Sequence, residues 1–125
     1  MKVMEGLYYT NDHEWLKLDG TTATIGISDY AQEMLGDVAY IELPDAGESF
    51  AAGDAFGVVE STKMASDLYM PVSGTVLEKN TEAEDDPGIV NRDAYGAWLV
   101  KIELTDAAEV EKLLDAATYE KGLDA

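Results

Sequence analysis

Apolar and β-branched residues recur along this chain in short runs broken by turn signals, a pattern that favours strands over long helices. Trp15, Leu16 and Leu18 lead into Asp19-Gly20, and Thr22, Thr24 and Ile25 return, which predicts a hairpin turning at an Asp-Gly pair. Ser28 is placed to cap a short helix running through Leu35, with Gly36 just past its end. Val38 to Leu43 alternates as a strand and stops at Pro44. Phe56, Val58 and Val59 form a strand ending at Glu60 and Ser61, and Leu68, Tyr69 and Met70 begin a second. Thr75 to Leu77 and Trp98 to Leu104 read as later strands. Val110, Leu113 and Leu114 recur at helical steps behind Thr105 or Asp106 as cap, predicting an amphipathic C-terminal helix. The expectation is an all-β core with short helical additions.

The second strand of the central pair starts five residues after Lys63, so the pair predicts a hairpin with Lys63 near its tip. Most exposed lysines are only solubilising. This one has acids on both sides, Glu60 and Asp67, and no other base within fifteen residues, so its amine is presented alone. That presentation suits an attachment point better than an ion pair.

Composition narrows the chemistry. A chain of 125 residues sets an expectation of one domain, and 46% hydrophobic content suffices for a modest core. No apolar stretch approaches the ~20 residues that span a bilayer, and the opening residues lack the basic and apolar regions of a signal peptide, so a soluble cytoplasmic protein is expected. With 26 acids against 8 bases the net charge is −18, which opposes nucleic acid and anionic membranes and predicts a monomer. The run Glu82, Glu84, Asp85, Asp86 reads as a solvated face. Without cysteine and with His13 as the one histidine, the chain lacks the donors of a structural zinc site or a Cys-His pair. His13 begins a strand and reads as a structural residue; no phosphate-binding or calcium loop is present. Sulfur redox chemistry would have to come from a cofactor.

The segment ESTK-x-ASD followed by Pro71, Val72, Ser73 and Gly74 resembles the lipoyl-lysine hairpin of the glycine cleavage system H-protein family. Further marks of that family follow in order: YTNDHEW at Tyr9 to Trp15, TIGISDYAQEMLGD at Thr24 to Asp37, and YIELPDAG at Tyr40 to Gly47. After the hairpin come Asn80, then Pro87-Gly88-Ile89-Val90-Asn91, Tyr95, and WLVKI at Trp98 to Ile102. The resemblance covers roughly residues 6–104. The chain departs from the pattern at Thr62 and Met64, at Ala83 and Ala94, and in a shortened Tyr95-to-Trp98 interval. Lys63-Met64 is also half of the biotin-carrier signature, but Thr62 stands where such carriers have a first methionine.

The resemblance implies a flattened two-sheet barrel of the lipoyl/biotinyl (barrel-sandwich hybrid) type with a C-terminal helix. It implies one carrier domain over 1–125, with its core at about 6–104 and a helical extension at about 105–125. It implies a non-catalytic subunit with lipoate joined to Lys63, carrying the aminomethyl group of glycine. The implied partners are a pyridoxal-phosphate glycine decarboxylase, a tetrahydrofolate-dependent aminomethyltransferase, dihydrolipoamide dehydrogenase, and a lipoate ligase or octanoyltransferase. Glu14 and Asp67 match positions bordering the cleft where the loaded arm docks, with a solvated acid or turn-former as the plainer reading. Glu60 and Gly74 match positions for recognition by the modifying enzyme, the glycine permitting a turn conformation that a side chain would oppose. Met64, Tyr69 and Met70 read as packing residues. Two alternatives share many of these motifs: an H-like lipoyl carrier in lipoate relay or another specialised pathway, and a biotin carboxyl carrier.

Overall fold

The Asp-Gly hairpin forms as its local chemistry dictates. In a computed structural model that describes residues 2–123, a short strand β1 (Tyr8–Tyr9) precedes β2 (Glu14–Asp19), which pairs antiparallel with β3 (Thr22–Ile27). Helix α1 (Asp29–Leu35) follows, its N-cap Ser28 accepting from the Ala31 N–H and its C-cap Gly36 donating back to Gln32. Next come β4 (Val38–Glu42), β5 (Ser49–Phe50), and the hairpin β6 (Ala55–Ser61) and β7 (Ala65–Tyr69). Strand β8 (Gly74–Lys79), helices α2 (Thr81–Asp85) and α3 (Ile89–Arg92), and β9 (Val100–Leu104) complete the central part.

Two antiparallel sheets result. The larger has the order of a tenth strand, β10 (Leu114–Asp115), then β1, β2, β3, β9, β8 and β5; the smaller is β4-β6-β7. Leu16, Ile25, Val59, Leu68, Val76 and Ile102 meet between them in the main core. In β2 the pleat sends Glu14 and Leu16 to one face and Trp15 to the other, where it joins Leu7, Tyr9 and Tyr119 in a second apolar cluster. No helix among the described residues is long and apolar enough to cross a membrane.

Three local expectations differ in detail. Val110 belongs to a 3-10 turn (Ala107–Lys112) capped by Asp106, Leu113 is extended, and Leu114 enters β10 against β1. The C-terminal helix, α4 (Ala116–Leu123), comes after them, because the backbone of Leu114 and Asp115 finds strand partners in Tyr9 and Tyr8. Residues 124–125 of the expected extension, like residue 1, lie outside the described residues. Strand β9 begins at Val100 and not Trp98, whose carbonyl instead accepts from the Asn80 side chain at 2.7 Å. The acidic run is partly structural: Glu84 accepts from the Leu43 N–H and meets Lys79, and Asp86 pairs with Arg92.

Candidate functional site

The β6–β7 hairpin is tighter than its apolar residues suggest, because Ala65, Ser66 and Asp67 join the ladder with their side chains exposed. Glu60 opposes Ala65, and beyond them Ser61 N–H donates to the Met64 carbonyl at 2.8 Å. The Ser61 hydroxyl oxygen accepts from the N–H of Lys63 and of Met64, both at 3.2 Å. A side-chain oxygen thus takes the place of a backbone carbonyl in closing the turn. Thr62 and Lys63 occupy the tip, and Thr62 N–H donates to the Asp37 carbonyl at 3.2 Å, tying it to the α1–β4 connection.

Lys63 is exposed, and its side chain forms no ion pair among the described residues. Its stem crosses Gly36, where an added Cβ would stand 2.9 Å from Lys63 Cε. Gly36 also has a φ of +77°, a conformation that resists side chains. Asn91 on α3 fixes this connection. Its amide nitrogen donates to the Gly36 carbonyl at 2.8 Å and to Gln32 Oε1 at 3.0 Å, and its oxygen accepts from Val38 N–H at 2.9 Å. Nothing in the spacing of Pro87 to Asn91 announces that role.

Beside the tip lies a cleft of about 110 Å³ between the end of α1, the hairpin and the start of β2. Met34, Leu35, Val59 and Met64 give it apolar walls, and Glu14 and Asp67 both line it. Its volume is somewhat below the ~150 Å³ that accepts a benzene ring, which suits it to a small group. Glu14 is 2% exposed. Thr10 Oγ1 donates to Glu14 Oε1 at 2.7 Å and Tyr69 N–H to Oε2 at 3.3 Å. Burial dominates these bonds and pushes the Glu14 carboxyl up to about 7. Such a group is satisfied without a cation and able to take one.

The sequence candidates therefore separate. Glu14 and Asp67 line one cleft, and Lys63 stands at the adjoining tip, next to Met64 of the cleft wall, whereas Glu60 lies exposed on β6, between Tyr40 of β4 and Ala65 of β7. Gly74 opens β8 opposite Leu104 and Phe50, away from the hairpin. It does not have a positive φ; a Cβ there would sit 2.7 Å from the Glu103 carbonyl oxygen and 2.9 Å from Ile102 Cδ1. The requirement for glycine is close strand approach, not turn conformation. Met70 is buried as a packing residue and Tyr69 half-buried, but Met64 is 47% exposed at the rim of the cleft. His13 has a φ of 70° and lines the cleft beside Glu14. Thr10, Ser61 and Asn91 are positioning residues; each lies within a quoted motif, but spacing alone does not assign it that role.

Comparison with known proteins places this geometry among relatives. A family model described as "Glycine cleavage H-protein" matches residues 7–125. "Glycine cleavage system H protein 1" of Caldanaerobacter subterraneus subsp. tengcongensis is 56% identical over 124 residues, covering 99% of each chain. "Glycine cleavage system H protein" of Thermoanaerobacter sp. (strain X514) is 54% identical over 124 residues, 99% of this chain and 98% of that one. The crystal structure of a glycine cleavage system H protein from Mycobacterium marinum superposes with a TM-score of 0.91 at 39% identity, covering 98% of this chain and 100% of the other. The two-sheet, mainly β form expected from the sequence agrees with that likeness.

Proposed function

The chain belongs to the glycine cleavage H-protein family, and from that premise we propose that it is a single-domain carrier subunit holding lipoate in amide linkage on Lys63. The observation that carries this reading is a lysine with no ion pair among the described residues, at a hairpin tip beside a small apolar cleft with a buried carboxylate. The residues fit the group: Lys63 supplies an accessible amine, and the cleft offers soft, methionine-edged walls suited to sulfur and carbon. When bound, lipoate supplies a dithiolane that accepts the aminomethyl group of glycine and carries electrons on to a flavin dehydrogenase.

The rest is the work of the chain's own side chains. Glu14 meets the ammonium of the cargo, and the arriving charge holds its carboxylate ionised against the burial that otherwise raises it. Asp67, exposed at the mouth of the same cleft, adds a second negative charge along the entry path. The apolar walls limit water around the bound group. Glu60, projecting beside Tyr40 near the tip, is read by the lipoylating enzyme; Gly74 serves recognition only through the fold, by letting β8 close on β9. The partners of the cycle are a glycine decarboxylase, an aminomethyltransferase and dihydrolipoamide dehydrogenase, with a lipoate ligase or octanoyltransferase loading Lys63. The net charge of −18 favours encounter with basic rims on them and opposes nucleic acid or anionic membrane as partners.

Incubating the protein with lipoate ligase, and separately with biotin ligase, followed by intact mass and peptide mapping, tests the attachment. A single lipoyl increment on Lys63 is expected. A biotinyl increment alone, or none, overturns the reading.

A further inference from the structure

The C-terminal helix touches a residue of the cleft wall, His13, through one hydroxyl. Tyr119 on α4 is 3% exposed, and its hydroxyl oxygen lies 2.8 Å from His13 Nδ1 and 2.7 Å from Ser28 Oγ. Its ring stacks on Tyr9, centroids 4.4 Å apart and planes 3° apart. Ser28 is the N-cap of α1, and its N–H donates to the His13 carbonyl at 2.9 Å. His13 immediately precedes Glu14 and lines the same cleft. Nothing in the carrier reading uses this junction of α4, the start of α1 and the entry to β2.

The directions of the hydrogen bonds follow from full satisfaction of buried groups. Ser28 Oγ accepts from the Ala31 N–H, and its own hydrogen finds its acceptor in the Tyr119 oxygen. Tyr119 then donates to His13 Nδ1, which leaves the imidazole neutral with its proton on Nε2. The opposite order would bury the Ser28 hydroxyl, at 0% exposure, without an acceptor for its hydrogen. His13 is half-buried and held at two further points: its N–H donates to the Thr10 carbonyl at 3.1 Å, and its ring packs against Tyr30 with centroids 4.6 Å apart. These contacts maintain the φ of 70° that turns the chain into β2 with Glu14 facing the cleft.

We propose that Tyr119 is a positioning residue of the arm cleft, locking the tautomer and left-handed backbone of His13 so that Glu14 stands where the cargo ammonium arrives. The C-terminal helix is then part of the sheltering device and not an appended support. This inference rests on the role assigned to Glu14 above.

The test compares the parent, Tyr119→Phe, Tyr119→Leu, Glu14→Gln and the Tyr119→Phe/Glu14→Gln double variant, all as full chains. In the unmodified proteins, nitrogen-15 correlation spectra of the imidazole report the tautomer. The parent is expected to show an unprotonated Nδ1 with a protonated Nε2, and Tyr119→Phe, which keeps the ring stack, a mixture of tautomers. In the lipoylated, aminomethyl-loaded proteins, decay of the loaded form is followed by mass. A several-fold shorter lifetime is expected for Tyr119→Phe and for Glu14→Gln, with no further shortening when the two are combined, and with lipoyl incorporation unchanged. Tyr119→Leu should add a loss of thermal stability that Tyr119→Phe lacks, separating the stack from the hydroxyl. A parental tautomer or parental lifetime in Tyr119→Phe, alongside a shortened lifetime in Glu14→Gln, overturns the role of Tyr119 alone. Equal decay of parent and Glu14→Gln overturns the cleft reading and this inference with it.

Discussion

Glu14→Gln should stabilise the protein progressively, relative to the parent, as pH rises from 5 to 8. Burial raises the carboxyl from 4.5 to about 7, so between those values the native state keeps a proton that the unfolded chain has released. Parent stability is therefore unimpaired by this group below about 4.5, declines as pH climbs toward about 7, and bears a constant deficit above it. At about 1.4 kcal/mol per pH unit, the decline between pH 5 and pH 8 is on the order of 2.5 kcal/mol. Glutamine has no proton to lose and escapes it. Near pH 5 the protonated carboxyl and the amide are close isosteres, and the two proteins should agree within about 1 kcal/mol, the worth of one rearranged hydrogen bond to Thr10 or Tyr69. Urea unfolding at several pH values measures the difference, and with a slope of about 2 kcal/mol per molar the midpoints should diverge by roughly 1 M by pH 8. The other carboxylates are common to both chains and cancel in the difference. Parallel stability curves for the two proteins would show that Glu14 titrates near the ordinary carboxylate range, and the reasoning from burial would be wrong.

Lys63→Arg should abolish lipoyl incorporation while changing unfolding free energy by no more than about 0.5 kcal/mol, since the side chain is exposed and has no ion pair among the described residues. Asn91→Ala should cost about 3 kcal/mol, because it strips partners from the Gly36 carbonyl, Gln32 and the Val38 N–H; protection of the Val38 amide in hydrogen exchange should fall with it. Gly74→Ala should cost roughly 1–3 kcal/mol through overlap with Glu103 and Ile102, measured by denaturation. If a turn conformation were its requirement, asparagine would be tolerated there better than alanine, and close packing predicts the reverse order.

What the sequence makes visible is what neighbouring residues decide. The Asp19-Gly20 turn, the Ser28 cap and the Gly36 stop are each written within a few positions, and each forms where its chemistry places it. Lys63 stands out because a local run of acids and apolar strands isolates it. The two-residue strands β1 and β10 carry no periodicity to detect, and they exist because the two ends of the chain meet. The helix expected from Val110 to Leu114 is displaced for the same reason: Val110 lies in the 3-10 turn capped by Asp106, but Leu114 and Asp115 have a strand waiting for them, and the helix follows at Ala116. Glu14 shares the parity of Leu16 on the inward face of β2, so its direction was readable. Its burial was not, because the walls around it come from α1 and from the hairpin at Val59 to Leu68. The Tyr119 junction spans 106 residues to His13 and 91 to Ser28, a distance at which no spacing rule operates.

The central claim is that Lys63 bears a carrier arm for the methylene carbon of glycine. Lipoylated protein incubated with a glycine decarboxylase and glycine labelled with carbon-13 at C2 should gain one aminomethyl group bearing the label, mapped by mass to the Lys63 peptide and absent from Lys63→Arg. A lipoylated Lys63 that gains no labelled carbon under conditions where the decarboxylase turns over would contradict the account.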